Sequence, residues 1–276
     1  MSIIEALILG VVQGITEFLP VSSSGHLVLL QRIFGIEEPV LLFDTLVHVG
    51  TLTAVCAVLW KDIWGILRKV FQPLTLFLVI ATLPAVVAAL LLNKQIERAF
   101  SSASFLGFSF LVTSALLLFS ELLYPRAGKP GVSADKDNTL TGRNEKSMTH
   151  LDALIIGLLQ AVAIVPGISR SGATLSAGLF RGLRRDFTVR FSFLLSIPAI
   201  LGALVFQLRD LGKSGPAGIG TLPLMVGAVS AAMVGFFSIR LMLKIVRERS
   251  LLGFALYTGI LGLLVVIDRF AAHFFF

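Results

Sequence analysis

The sequence predicts an all-α polytopic membrane protein, and three observations carry that reading. The 276 residues are 56% hydrophobic and 14% charged, with a mean hydropathy of +0.92, whereas soluble domains run near 25% charged. Six apolar runs have the length that crosses a bilayer, roughly 18–25 residues at 1.5 Å per residue; they lie at about 41–60, 73–93, 103–124, 191–208, 222–242 and 250–267. Two further runs, 3–12 and 151–165, are too short or too interrupted to cross. Each ends in a turn rich in Pro, Ser and Gly and resumes as a short helical stretch, 26–35 and 174–183. Segments of that length read as re-entrant helical hairpins that enter and leave by one face.

The two hairpins belong to an internal repeat. Gly10-x-x-Gln13 recurs as Gly157-x-x-Gln160 and Ser22-Ser23-Ser24-Gly25 recurs as Ser169-Arg170-Ser171-Gly172, both at an offset of 147, and Phe43 and Phe191 open the next spans at an offset of 148. One offset shared by separate matches makes a repeat the better reading than chance. Residues 1–124 form the first repeat and 151–276 the second, within a single integral membrane domain. The hydrophilic stretch 125–150 reads as a solvated linker, since its composition cannot bury a core. Each repeat has one hairpin and three spans; the odd number of crossings inverts the second repeat, and such folds place a site where broken helices of the two halves meet.

Charge orients the chain. Sixteen of the 23 Lys and Arg residues fall in loops on one face, six on the other, and Arg170 is set apart as a site residue. By the positive-inside tendency the first face is cytoplasmic, which puts the linker inside and both termini outside. The net charge of +7 is accounted for this way, with no need for a nucleic-acid partner. The run Arg181–Arg190 reads as a solvated cytoplasmic face, with anionic lipid as a lesser alternative. The single cysteine, Cys56, lies in an apolar run and can make no intramolecular disulfide.

The chemistry concentrates in the stretch from Gln13 to His26, Q-G-I-T-E-F-L-P-V-S-S-S-G-H. An ionisable group inside an apolar chain is costly to place and usually functional, and no basic region precedes Glu17 as a cleaved secretory signal would require. Glu17 either neutralises a cation structurally, activates a nucleophile or holds a divalent cation. Ser22, Ser23 and Ser24 supply hydroxyls: Ser23 and Ser24 are candidate caps for a helix starting near His26, Ser22 or Ser23 is a candidate attacking oxygen, with Ser23 preferred, and Ser22 and Ser24 are candidate phosphate-binding groups. His26 is a candidate acid/base or nucleophile. The second constellation, Pro166-Gly-Ile-Ser-Arg-Ser-Gly-Ala-Thr174, sets Ser169, Ser171 and Thr174 around Arg170 at a helix start. Free N–H groups there suit an anion, and the Arg170 fork matches phosphate oxygens. Asp44 and His48, four apart in the third helical segment, are placed beside the site as supporting groups, with a packing hydrogen bond as the alternative. Gln13 and Gln160 are two further candidate supporting residues of the site. No zinc-like Cys/His spacing occurs; a metal, if used, is a hard cation such as Mg or Ca between Glu17 and phosphate.

The segments G-V-V-Q-G-I-T-E-F-L-P-V-S-S-S-G-H (10–26) and P-G-I-S-R-S-G-A-T (166–174) resemble the two signature motifs of the undecaprenyl-diphosphate phosphatase family, also called bacitracin-resistance proteins. F-D-T-L-V-H-V-G-T (43–51) and F-S-F-L-L-S-I-P-A (191–199) extend the resemblance over essentially the whole chain. It implies hydrolysis of undecaprenyl diphosphate to undecaprenyl phosphate and inorganic phosphate, recycling the lipid carrier for peptidoglycan. It also implies an inverted-repeat fold in the bacterial plasma membrane, a site facing the periplasmic side, and a homodimer. Carried over residue by residue, the family's acidic motif falls on Gln13 and Glu17, its serine and histidine on Ser23 and His26, and its phosphate-gripping set on Ser169, Arg170 and Thr174. Gln13 stands where two-carboxylate members have an acid, which leaves Asp44 as a candidate second anion. Type-2 phosphatidate phosphatases also use S-G-H and S-R, but the His and Asp that follow there are missing after Arg170. A polyprenyl-phosphate transporter or flippase is the competing function, because inverted repeats around a midplane site are common in transporters.

Overall fold

The computed structural model of the chain describes residues 1–36, 41–92, 95, 105–124, 142–214 and 220–272; of 206–214 and 272 it describes the backbone alone. Eleven α-helices have described bounds: α1 (Ile3–Thr16), α2 (Ser23–Ile33), α3 (Leu41–Val58), α4 (Trp60–Arg68), α5 (Pro73–Leu91), α6 (Leu106–Leu123), α7 (His150–Val162), α8 (Arg170–Phe180), α9 (Arg185–Ser214), α10 (Thr221–Glu248) and α11 (Leu252–Ile267). Six of them, α3, α5, α6, α9, α10 and α11, are long and apolar enough to cross a membrane, while α1 and α7 are shorter apolar helices. All six predicted spans are therefore helices. Boundaries differ where local chemistry extends a helix beyond its apolar run. α9 begins at Arg185 rather than near 191 because the polar residues before the apolar run are compatible with helix and Asp186 in the first turn suits the helix N-terminus; Arg185 itself is held by two bonds of 2.8 and 2.7 Å to Glu121. The stretch after α3 forms the short helix α4, with Trp60 stacked on Trp64 at 5.5 Å and Arg68 over the Trp64 ring at 5.0 Å.

The helices pair across the two halves of the chain. α1 lies along α10 and α7 along α5; α3 also packs on α10, α9 on α5, and α6 on α11. Each hairpin therefore rests on a span from the other half. Close approach is what permits it: a Cβ on Gly10 would collide with the Gly227 carbonyl and the Ser230 hydroxyl, and one on Gly157 would come 2.6 Å from the Ala81 carbonyl oxygen. The repeat signal at Gly10 and Gly157 is thus a packing signal. It also reaches further back than the motifs, since α1 opens on a capping box of Ser2 and Glu5 and α7 on one of Thr149 and Asp152, again 147 apart. Such a box satisfies two orphan N–H groups at each helix start. Beneath the hairpin tips, Phe18 meets Phe193 edge to face at 5.5 Å within a core that includes Val55, Leu175, Leu179 and Met242.

Two charged regions depart from the sequence reading. The arginines from 181 to 190, expected to be solvated, are ion-paired: Arg181 with Asp152, Arg184 with Asp186, Arg185 with Glu121 and Arg190 with Asp62. Of the linker, 125–141 lies outside the described residues; in 142–150 the side chains of 144–147, 149 and 150 are exposed, while Arg143 and Met148 anchor the segment to the protein. Arg143 and Leu183 form a parallel backbone bridge, Met148 is buried, and Arg143 makes a two-pronged bond to Asp152 at 2.9 Å. Burial by itself would raise the Asp152 carboxyl; the hydrogen bonds from Arg143, Arg181 and Thr149 outweigh it and hold the carboxyl well below the usual range. A fully buried carboxylate, 0% exposed, is tolerated because two guanidiniums satisfy it.

Candidate active site

The first hairpin turns at Glu17-Phe-Leu-Pro-Val. α1 ends with Glu17 as its C-cap, and α2 starts at Ser23 with Ser22 as N-cap, its hydroxyl accepting from the Gly25 N–H at 3.3 Å. The cap is Ser22, not Ser23 or Ser24, so the helix starts about a turn earlier than expected and frees the Ser23 side chain. Ser22 has φ 73°, a left-handed conformation that costs a side-chain-bearing residue about 1–3 kcal/mol and gathers at functional sites. The second hairpin turns at Gly167 (φ 87°), and Ser169 caps α8, which starts at Arg170. The two tips interlock. Ser171 Oγ donates to the Leu19 carbonyl at 3.0 Å and the Gly167 N–H donates to Ser24 Oγ at 3.4 Å. Contact is tight enough that a Cβ on Gly25 would lie 2.6 Å from the Phe110 ring and 3.2 Å from Gly167 Cα. Two helix starts, each with positive dipole character, thereby converge.

Between them stands a charge cluster centred on Glu17, a residue 7% exposed. Ser23 Oγ donates to Glu17 Oε2 at 2.6 Å and Gln13 Nε2 donates to the same oxygen at 3.1 Å, while Arg170 Nη2 donates to Oε1 at 3.1 Å. His48 Nε2 is 3.8 Å from Oε2. Arg170 also donates through Nη1 to the Ser192 carbonyl at 3.3 Å. Ser22, Ser169, Ser171 and Thr174 are buried, whereas Ser23, Ser24, Arg170 and His48 keep part of their surface open. The open face of the cluster is therefore a serine hydroxyl, a guanidinium and an imidazole around a carboxylate, which together offer hydrogen-bond donors suited to an anion and a base within reach of the hydroxyl.

A profile of the family described as bacitracin resistance protein BacA matches residues 6–264. The chain belongs to this family. It is 42% identical to a protein named undecaprenyl-diphosphatase from Carboxydothermus hydrogenoformans over 99% of this chain and all of that one. It is 37% identical to the undecaprenyl-diphosphatase of Halothermothrix orenii over 97% of this chain and 98% of that one. Undecaprenyl-diphosphatase 3 of Bacillus cereus is 40% identical over 98% of each.

In this BacA-family chain the remaining sequence-derived residues fall into separate places. Ser169 and Ser171 hydroxyls lie 3.2 Å apart, and Thr174 Oγ1 is engaged by the Arg170 carbonyl at 2.9 Å and by Ser192 Oγ at 2.6 Å. Asp44 is not paired with His48 through its carboxylate: His48 Nδ1 donates to the Asp44 carbonyl at 2.7 Å, and Asp44 Oδ1 accepts from Gln31 at 2.8 Å. Gln160 donates to the Ala81 carbonyl at 3.4 Å, on the α5 side and outside the Glu17 cluster. His26 turns from Ser23 toward α6 and α11, between Phe110 and Tyr257. Sequence reasoning missed Ser192, Thr113 and Tyr257. Ser192 was accessible through the repeat, being the 148-offset partner of Asp44. Thr113, whose hydroxyl accepts from the Ser169 N–H at 3.0 Å, and Tyr257 had no such signal.

Proposed function

We propose that the chain is an integral membrane hydrolase that converts undecaprenyl diphosphate to undecaprenyl phosphate and inorganic phosphate, and that Ser23, Glu17 and Arg170 carry the reaction. The observation that supports it most is the continuous contact of the three: an alcohol 2.6 Å from a carboxylate that is itself 3.1 Å from a guanidinium. Arg170 and the N–H groups at the starts of α2 and α8 bind the terminal phosphate and neutralise its developing charge, as positioning and electrostatics do in phosphoryl transfer generally. Ser23 Oγ attacks the terminal phosphorus while its proton passes to Glu17. The bond to the bridging oxygen breaks, and undecaprenyl phosphate leaves with that proton. Water, deprotonated by Glu17, then attacks the phosphoserine; inorganic phosphate leaves and Ser23 recovers its proton. Glu17 carries the proton transfers because both ring nitrogens of His26 are already engaged.

A divalent cation at the same place, held by Glu17 and Gln13, is part of the proposal, since the described residues contain no cluster of three or more acidic, His or Cys ligands to hold one elsewhere. Gln13 Oε1 is buried without a hydrogen-bond partner among the described residues, and with Glu17 it would offer hard oxygen ligands of the kind Mg or Ca accepts alongside substrate phosphates. When bound, such an ion would withdraw charge from the phosphate oxygens. A mainly apolar cavity of about 510 Å³, lined by Ile15, Leu19, Val21, Phe254 and Tyr257 and also by Arg249, offers room for part of the isoprenoid chain. Placement in the bacterial plasma membrane with the site toward the outer side, and assembly as a homodimer, complete the proposal. A polyprenyl-phosphate transporter needs Arg170 but has no use for a serine bonded to a carboxylate.

The test is phosphate release from C55 or C15 polyprenyl diphosphate by detergent-purified protein, with chelator, Mg or Ca. Ser23→Ala, Glu17→Gln and Arg170→Ala each lower turnover by about 10²–10⁴. Folded, lipid-supplemented wild type that releases no phosphate under any of these conditions would defeat the reading.

A further inference from the structure

The only backbone strain at a non-glycine residue among the described residues sits at Ser22 (φ 73°), directly before the proposed nucleophile. At Ser22 the carbonyl accepts from the His26 backbone N–H at 3.2 Å and the hydroxyl from the Gly25 N–H, and the shortest bond is made by the side chain of His26, whose Nδ1 lies 2.7 Å from the same carbonyl oxygen. A carbonyl can only accept, so Nδ1 must carry the proton. In neutral imidazole the other nitrogen, Nε2, is then an acceptor, and it lies 2.7 Å from the Tyr257 hydroxyl. Tyr257 donates to it, and its ring stacks on the imidazole at 5.7 Å and 11° while Phe110 closes the other side edge-on at 5.4 Å. His26 is 8% exposed, so water does not compete freely for either nitrogen.

We propose that Tyr257 is a positioning residue: by donating to His26 Nε2 it orients the imidazole, so that Nδ1–H pins the Ser22 carbonyl and aims Ser23 at the phosphate. The tautomer itself is set by the acceptor-only carbonyl at Nδ1; the tyrosine hydroxyl sets where the ring lies. Without that hydroxyl the ring loses its partner at Nε2 and tilts, the Nδ1–H bond to the Ser22 carbonyl weakens, and the left-handed turn keeps only the His26 backbone N–H and the Ser22 cap on Gly25. Ser23 drifts from Glu17, and a misplacement of about 1 Å is enough to cost up to about a hundredfold in rate. The inference rests on Ser23 acting as the nucleophile, and it makes His26 a support of that serine rather than a proton carrier.

Four variants and one spectrum test it. Tyr257→Phe keeps the ring and removes the hydroxyl; kcat falls about tenfold, the rate equivalent of one hydrogen bond, with KM within twofold. His26→Asn, whose amide N–H stands in for Nδ1–H, retains more turnover than His26→Gln, which places its donor at the other nitrogen. In the His26→Asn background Tyr257→Phe has no further effect, because no imidazole remains to orient. Nitrogen-15 histidine spectra, with the His26 signal assigned by its loss in His26→Asn, show Nδ1–H in wild type and in Tyr257→Phe, with the Nε2 resonance moved toward that of an unbonded pyridine-type nitrogen in Tyr257→Phe. A wild-type His26 protonated at Nε2, equal activities of the Asn and Gln variants, or a full tenfold loss from Tyr257→Phe in the Asn background would each overturn the proposal. The spectrum needs no turnover, so it decides the Tyr257–His26–Ser22 link even if the hydrolase reading fails for want of phosphate release.

Discussion

Replacing Glu17 with glutamine tests the core of the site, and its effects separate into two readouts. Glutamine preserves the shape and can still accept from Ser23, but it removes the charge that Arg170 answers at 3.1 Å and the base that Ser23 addresses at 2.6 Å. Breaking a buried ion pair by removing one partner costs about 3–5 kcal/mol. The Arg170 side chain is 15% exposed and keeps the Ser192 carbonyl, so water and that oxygen recover part of it and about 2–4 kcal/mol is expected. Losing the base lowers kcat by about 10²–10⁴, equivalent to about 2.7–5.5 kcal/mol at the transition state. Unfolding in detergent and phosphate release at saturating substrate are measured on the same preparations. The double variant Glu17→Gln/Arg170→Gln should recover about half of the lost stability, since no uncompensated charge remains, while activity stays at the level of the worse single variant. The reasoning fails if Glu17→Gln turns over within threefold of wild type, or if the stability losses of the two single variants simply add.

Three further outcomes follow from the packing. Gly25→Ala, whose new methyl would press on the buried Phe110 ring at 2.6 Å, destabilises by about 1–3 kcal/mol, and Phe110→Leu in the same chain relieves part of it in thermal unfolding. Asp152→Asn removes the carboxylate shared by Arg143 and Arg181. Because the folded carboxyl lies below its ordinary value, its contribution is fully present above the unfolded pKa and lost as pH falls. The stability gap between wild type and Asp152→Asn is accordingly constant above about pH 5 and narrows below it; a gap that widened on acidification would contradict the ion-pair account. Ser192→Ala takes away the hydroxyl 2.6 Å from Thr174 Oγ1 but leaves the carbonyl that Arg170 uses. It lowers stability by about 1 kcal/mol with turnover within about fivefold, whereas Arg170→Lys, which loses the planar fork, loses turnover by more than tenfold.

Much of this could be read along the chain. Six spans were visible because hydropathy sums over neighbouring residues, and the two hairpins because Pro20, Pro166 and the flanking serines and glycines interrupt apolar runs too short to cross. The 147-residue offset pointed to tips that meet, and Ser171 on Leu19 and Gly167 on Ser24 join them. Glu17 and Arg170 stood out as charges with no cheap place in an apolar environment, and they pair across 153 positions. Less legible were positions whose meaning depends on a neighbour's geometry. Asp44 and His48 have the spacing of a side-chain pair, yet a backbone carbonyl takes the imidazole N–H. The arginines of 181–190 look solvated until Asp152, Glu121 and Asp62, distant in the chain, are brought beside them.

Read segment by segment, the chain encodes the solvent the protein lives in, the number of helices that can cross it and the residues too polar to be there without a task, since each follows from the transfer free energy of local segments. Tertiary structure alone decided that Ser22 rather than Ser23 caps α2, which leaves the Ser23 hydroxyl for Glu17. It also decided that His26 faces Tyr257, 231 positions away. The reason is that a hydrogen bond is set by distance and direction between two atoms, and those are fixed by how α1, α2, α8 and α11 pack, a property that no segment carries on its own.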